Sequence, residues 1–424
     1  MAGMFASIQK EKSRSQRSGL RRIRSYSSSF LRRVWCGEKY LVNCEGVYVD
    51  LYHPRSRGEG MRIVVDVNHP AHVHYFKNFI REMEERGHEV LVTASEKDLV
   101  YTLLQRYGFT YVPLGCYGNS LFKKVANVPI LDLKMYRSVK AFNPDLFLGS
   151  GSIRAAHVSR IMRKPCINFD DDEYSYPYYH HFADAICGFS GFKIIGPKVI
   201  KINGFKEIAY LHPNHFKPDP AILERSGISP DEKFTVVRFV SWNAFHDVGK
   251  KGFDAPSKVN LIQELSEYST VFISSEAPLP GGLERYRLPV PPENIHDLLH
   301  YATLLVSDSQ TMTTEAAVLG TPAVRSNSFV GKNDMGNFIE LEKNYNLIFN
   351  CASEETALNA AVHILNMPDA KGKWAKKREK LLKDKIDVTA FMVWFVENYP
   401  RSFTEMKEHP EVQYSCASIP GDAS

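Results

Sequence analysis

The stretch Leu304 to Ser326 carries the residues best suited to chemistry: an apolar run, then Ser307-Asp308-Ser309-Gln310-Thr311, then an Ala-containing segment with Glu315 that ends at Gly320-Thr321-Pro322. This order predicts strand, loop, helix and a further strand. A turn of small hydroxyl residues at a helix N-terminus leaves N–H and O–H donors pointing outward, where an anion gains from the hydrogen bonds and the helix dipole. Ser309, Gln310 and Thr311 therefore suit a phosphate. Glu315, a turn further in, repels phosphate and suits ligand hydroxyls, so phosphate plus a diol indicates a nucleotide ribose. A plainer reading fits the same residues, with Ser309 and Thr311 capping the helix and Glu315 solvated in its first turn.

Four other segments place reactive side chains after apolar runs. Asn68-His69-Pro70-Ala71-His72-Val73-His74 has none of the glycines of a dinucleotide fingerprint, which disfavours a nicotinamide cofactor. Its histidines spread apart across a strand-to-helix turn, so a base or phosphate donor at the helix start is a better use than a metal site. Gly149-Ser150-Gly151-Ser152 permits close backbone approach by a ligand. Asp170-Asp171-Asp172-Glu173, followed by Tyr174, Tyr176, Tyr178 and Tyr179, crowds negative charge, which raises at least one pKa and favours either acid/base work or cation binding. Aromatics beside carboxylates suit a sugar cleft, although an acidic loop over core tyrosines has the same composition. Ser241-Trp242-Asn243-Ala244-Phe245-His246-Asp247, with Lys250 close behind, offers small polar residues and cations to a diphosphate; solvated lysines are the alternative.

The elements that hold these segments alternate strand and helix from Met61 onward, the pattern of α/β domains with parallel sheets. The proline-rich Leu211 to Pro218 reads as a linker. Residues 61–205 and 206–386 form two domains, 387–403 an apolar helix at their junction, and 404–424 a loose tail. Residues 1–60 are rich in Arg and Ser without sustained periodicity, and read as a disordered, dispensable extension ahead of a start at Met61. They hold 12 Lys+Arg against 5 Asp+Glu, so the net charge of +5 becomes −2 for residues 61–424. A nucleic-acid role would thus reside in the extension alone. No apolar run reaches the roughly 20 residues that span a bilayer. Seven cysteines without a CxxC pair fit a reducing compartment, hence the cytoplasm.

At this point the chain resembles the GT-B glycosyltransferase superfamily, which includes the bacterial lipid-intermediate N-acetylglucosaminyltransferase and the UDP-N-acetylglucosamine 2-epimerases. More closely, it looks like an uncharacterised prokaryotic family within that superfamily, over about residues 61 to 400. His72-Val73, fifteen residues before Gly87, is similar to the transferase's glycine-rich GGH loop, with Asn68, His69 and Pro70 where that family has glycines. Pro165 to Asp172 is similar to its strand and HEQN segment, which puts Asp170 at the glutamate. Asp308-Ser309, then Glu315, Gly320 and Pro322, is similar to the epimerase DSGG segment and the ribose-binding glutamate, with Gln310 replacing a glycine. Asn333-Asp334 falls where the transferase has two glutamines that read donor-sugar hydroxyls.

The resemblance implies two Rossmann-like domains facing across a cleft and metal-independent transfer of a sugar from a UDP-sugar to an acceptor, a glycan or lipid-linked alcohol, with no cofactor. Glu315 would hold the ribose. Ser309, Gln310, Thr311 and Ser241, Trp242 and Asn243 would hold the diphosphate with help from His246 or Lys250. Asn333 and Asp334 would read the sugar, and His72 or Asp170 would deprotonate the acceptor. A 2-epimerase and a non-catalytic nucleotide-sugar-binding protein are the alternatives.

Overall fold

The computed structural model describes residues 40–42, 48–50, 60–116, 118, 121–240, 252–332 and 334–416. Within residues 1–59, two three-residue strands, β1 (Tyr40–Val42) and β2 (Tyr48–Asp50), pair antiparallel. Residues 60–424 form a separate compact unit. It holds two parallel sheets.

The first sheet contains β3 (Arg62–Val67), β4 (Glu89–Ser95), β5 (Tyr111–Gly115), β6 (Leu146–Gly149), β7 (Cys166–Asp170), β8 (Ala185–Gly188) and β9 (Val199–Lys201), in the order β5-β4-β3-β6-β7-β8-β9. The second contains β10 (Phe234–Phe239), β11 (Thr270–Ser275), β12 (Leu304–Ser307), β13 (Ala323–Ser326) and β14 (Ile348–Cys351), in the order β11-β10-β12-β13-β14. Helices follow the strands, as parallel pairing requires. The strands are continuous apolar runs because both of their faces are covered, and Ile63, Val64 and Val65 have no exposed surface.

Strand order reverses at β3/β6 in one sheet and at β10/β12 in the other. Loops beyond the carboxyl ends of these strands diverge to opposite faces and leave a crevice, the usual ligand position in open α/β sheets. The loops there are Asn68–His69 and Gly149–Ser152 in the first half, and Asp308–Ser309 in the second.

The helix after β12, Gln310–Leu319, is buried from Met312 to Leu319, so alanines and threonines suit its tight packing. It ends at Gly320, whose φ of 78° is left-handed; a Cβ there would lie 2.8 Å from the Arg378 side chain. Arg378 in turn donates to the carbonyl of Val318.

The apolar helix Val388–Glu397 packs on helix Pro70–Glu85 of the first half. Thr389 Oγ1 donates to the carbonyl of Ala209 in the segment joining the halves. Residues 404–416, expected as a loose tail, instead continue a helix (Arg401–Glu408) and form a short second one (Val412–Cys416). Met406 is buried, and Lys407 Nζ donates to the carbonyls of Gly196 and Val199 at 2.9 and 2.6 Å. Phe403 and Met406 recur at helical spacing and pack on the core, a signal in the sequence that the reading passed over. Among the described residues, no helix is long and apolar enough to cross a membrane.

A buried ion pair fixes the Gly149–Ser152 turn. Arg154 and Asp66 are both fully buried and meet at 2.6 Å, while Ser152 Oγ and Thr93 Oγ1 donate to the same carboxylate at 2.6 and 2.7 Å. Removing one member strands the other charge in low dielectric. Arg154→Met is therefore expected to lower the unfolding free energy by about 3–5 kcal/mol in urea denaturation, with partial recovery in the double variant Asp66→Asn/Arg154→Met; a loss well under 1 kcal/mol would show the pair to be dispensable.

Candidate functional site

The carboxyl ends of the two sheets enclose a cleft of about 260 Å³. The first half lines it with His72, Lys97, Gly151 and Asp170 to Asp172, and the second with Gln310, Thr311 and Met335. Of the three histidines of the first loop, His69 and His72 both border the cleft, with ring centroids 5.8 Å apart, and His74 does not. His69 caps helix Pro70–Glu85 by accepting from the Ala71 N–H at 3.1 Å, and His74 turns toward the seam between the halves. His72 lines the cleft. Among the described residues its Nδ1 is buried without a hydrogen-bond partner, and so is the Gln310 amide nitrogen, which reaches the same cleft from the other half. In a cleft, a bound ligand is one way for such buried groups to complete their pairing.

Asp170 ends β7 and is almost wholly buried. Its Oδ2 accepts from the Tyr179 hydroxyl at 2.6 Å and from Ser175 Oγ at 3.2 Å, and its Oδ1 from the Asp172 N–H at 3.1 Å. Burial pushes its pKa up to about 7, with Asp171 and Asp172 adding to the rise and the Tyr179 hydrogen bond opposing it. The carboxyl is thus divided between both protonation states near neutrality, the condition in which a side chain exchanges protons most usefully. For His72, burial comes first and the Lys206 and Lys97 charges follow, holding its pKa at about 3. The imidazole is therefore neutral, and a poorer base than Asp170.

Lys206 pairs with Asp171 and lies 3.7 Å from Glu207. Burial works against its charge, yet Asp171 and Glu207 outweigh that and raise its pKa. One cation thus offsets part of the acidic loop.

Gly149 and Gly151, expected to admit a ligand backbone-close, have their missing side chains used by the protein itself. A Cβ on Gly151 (φ +53°) would lie 2.5 Å from Ser175 Oγ and 3.0 Å from Asp170 Oδ2, and one on Gly149 would lie 2.4 Å from the Ser152 Cβ. Gly151 nonetheless borders the cleft, and its bareness is what lets Asp170 and Ser175 come together.

In the second half Ser309 acts as the helix cap, its Oγ accepting from the Met312 N–H at 3.4 Å while Thr313 Oγ1 donates to the Ser309 carbonyl at 2.6 Å. Gln310 and Thr311 line the cleft beside it. Glu315 is neither solvated nor against hydrocarbon. It is 5% exposed, and its Oε1 accepts from the Tyr210 hydroxyl at 2.7 Å and pairs with His296 Nε2 at 2.9 Å. Burial alone would raise its pKa; the His296 charge and the two hydrogen bonds outweigh it, and the carboxylate lies below its ordinary value.

Asp334 was expected to read a sugar and is instead engaged inside the fold. Its Oδ2 pairs with the buried Arg325, its Oδ1 accepts from the Met335 N–H at 2.8 Å, and Arg325 lies 3.6 Å from the Phe338 ring centroid. Ser241, Trp242, Asn243, His246, Lys250 and Asn333 lie outside the described residues.

Sequence reasoning passed over Lys97, Lys206, Tyr210 and His296. Lys97, just beyond β4, had a findable signal in its place at a strand's carboxyl end. The other three had none, because what singles them out is a partner on another element, 19 to 105 residues away.

The chain belongs to the family described as "Protein of unknown function (DUF354)", whose profile matches residues 61–394. A curated relative is an uncharacterised protein of Methanocaldococcus jannaschii, 23% identical over 274 residues that cover 61% of this chain and 80% of that one. Among solved structures, the UDP-GlcNAc 2-epimerase of Neisseria meningitidis bound to UDP-GlcNAc superposes with a TM-score of 0.57 at 13% identity, covering 76% of this chain and 98% of the epimerase. The glycosyltransferase SsfS6 of Streptomyces sp. SF2575, complexed with thymidine diphosphate, gives 0.51 at 14% identity, covering 80% and 99%. These likenesses bear out the fold expected from the resemblance: two Rossmann-like halves of GT-B type.

The Asp170 environment makes a signed pH prediction. The folded carboxyl keeps its proton up to about pH 7, whereas an unfolded one releases it near its ordinary value of 3.8, so the folded state holds the extra proton in between. Its contribution to stability is then fully present below that lower value and is lost as pH rises through about 7. Carboxyl-carbon NMR titration, assigned with Asp170→Asn, should find this midpoint, and Tyr179→Phe should move it higher still; a midpoint near 4 would contradict the environment described.

Proposed function

We propose that this protein is a glycosyltransferase that moves a sugar from a nucleotide diphosphate sugar, a UDP-sugar, to an acceptor hydroxyl held by its first half. The observation that carries the reading is the pair of residues His72 and Gln310, which line one cleft from opposite halves and whose Nδ1 and Nε2 are buried without a hydrogen-bond partner among the described residues. A ligand that satisfies both must offer polar atoms to both sheets at once, as a diphosphate sugar between them does. The shared architecture with a UDP-GlcNAc-bound epimerase and a thymidine diphosphate-bound glycosyltransferase supports it.

In this reading the N-terminus of helix Gln310–Leu319, with Gln310 and Thr311, takes the diphosphate, and charge developing on the leaving phosphate is stabilised by fixed donors without a divalent cation. On the sequence alone, Ser241 to Asn243 with His246 or Lys250 are assigned to the same diphosphate, and Glu315 accepts the ribose hydroxyls. Asp170, poised near pH 7, removes the acceptor's proton. Neutral His72 serves as a hydrogen-bond partner to the reacting groups. The acceptor is a glycan or lipid-linked alcohol, and the reaction belongs to the cytoplasm, where a thiol such as that of Cys116 stays reduced.

A 2-epimerase is the second reading, favoured by the same carboxyl, because removal and return of a proton needs a group that titrates near neutrality. Incubation with UDP-N-acetylglucosamine alone distinguishes the two, since only the epimerase forms the manno isomer without an acceptor.

Two variants test the roles. Glu315→Gln is expected to weaken UDP binding roughly ten- to hundredfold, the ~1.5–3 kcal/mol of a hydrogen bond to a charged group; unchanged affinity removes Glu315 from the donor site. For Asp170→Asn the expected outcome is turnover lower by about 10²–10⁴ with UDP affinity retained, and normal turnover would dismiss it as the base.

A further inference from the structure

Glu315 stands at the meeting point of three separate pieces of chain. Tyr210 belongs to the short helix Ile208–Leu211 in the segment that joins the halves, and His296 to helix Ile295–Tyr301 of the second half. Both use the same carboxylate oxygen, Oε1. Behind them the first half closes in. His74 lies edge-on to His296 with ring centroids 4.6 Å apart and is stacked on Tyr210 at 5.5 Å, and the Lys77 ammonium sits 4.8 Å from the centroid of Tyr107 and 5.9 Å from that of Tyr210.

A diol is gripped by a carboxylate when each hydroxyl donates to a different oxygen, and each oxygen has room for about two donors. With Oε1 already taken by a phenol and an imidazole, two-point capture of a ribose requires one of them to leave. His296 is only nineteen residues from Glu315, on a neighbouring helix of the same half, so a separation of the halves leaves the two together. Tyr210 is the partner that can depart. Its helix is anchored to the first half, where Asn78 Nδ2 donates to the Ala209 carbonyl at 3.0 Å, and to the C-terminal helix through Thr389.

We propose that the Tyr210 hydroxyl occupies the ribose position on Glu315, so that nucleoside diphosphate binding and closure of the joining segment onto the second half compete for one carboxylate. This deepens the donor-site reading and rests on it. The internal phenol makes the empty site self-satisfied, which avoids a buried bare carboxylate, and the nucleotide opens the seam as it binds. The apparent affinity is reduced by the fraction of molecules in which Tyr210 is bound to Glu315. Weakening that contact raises nucleotide affinity instead of lowering it, the reverse of what a residue that merely builds the pocket would do.

The test is calorimetric titration of the full chain with UDP, for the unmodified protein, Tyr210→Phe and Glu315→Gln. Tyr210→Phe is expected to bind UDP about three- to tenfold more tightly and Glu315→Gln more weakly. Equal or weaker binding by Tyr210→Phe, with Glu315→Gln weakened, overturns the competition and leaves the donor-site reading standing. No effect of either variant, or no UDP binding by any form, overturns both. Hydrogen exchange on the unmodified chain guards against a variant that fails to fold: saturating UDP should speed amide exchange over residues 208–211, and slower or unchanged exchange there counts against the proposal.

Discussion

Charge buried between two sheets must be neutralised where it lies, and that constraint organises the second half of this chain against the first. A carboxylate such as Glu315, with 5% of its surface in contact with solvent, costs several kcal/mol to bury unless hydrogen bonds and opposite charge replace its water. The replacements come from a joining helix and a neighbouring helix, with a histidine and a lysine from the first half packed behind them. Satisfying one side chain therefore fixes how helix Gln310–Leu319, the joining segment and helix Pro70–Glu85 sit together.

The cleft shows the complementary use of the same physics. Asp170, buried, and His72, half-buried, both border it, and for each the dominant cause of the pKa shift is loss of water, which penalises the charged form. The consequence differs in sign because one group is charged when deprotonated and the other when protonated. Burial lifts the carboxyl to about 7, where it can trade protons, and drops the imidazole to about 3, where it stays neutral. Lys206 sharpens the contrast by lowering His72 further while offsetting the Asp171 charge beside Asp170.

Behind the reactive residues lies a layer whose task is position. The Asp66–Arg154 pair and Ser152 hold the turn that brings bare Gly151 against Asp170, and Arg325 holds Asp334 in the loop that delivers Met335 to the cleft. Each is a strong, directional contact in low dielectric, so a shift of the loop would break it at large cost. In the same way Gly320 stops its helix where Arg378 needs space, which sets the length of the segment that presents Gln310.

The alternation of apolar runs with capped amphipathic stretches was enough, from residues alone, to set most strands and helices between Met61 and Glu397, because those depend on neighbours within a few positions; strand β8 and the helices after Pro400 were not read. It also set which loops carry polar residues at strand ends, and the Ser309 cap, which answers to a backbone N–H three residues away. The resemblance then supplied the two-domain arrangement. Only the tertiary structure decided what the acids do. Asp334 finds Arg325 nine residues away, Glu315 finds Tyr210 at 105, and Asp66 finds Arg154 at 88. Whether a carboxylate is solvated, paired or poised depends on the dielectric and partners that such distant contacts create, and no local pattern of residue types encodes them.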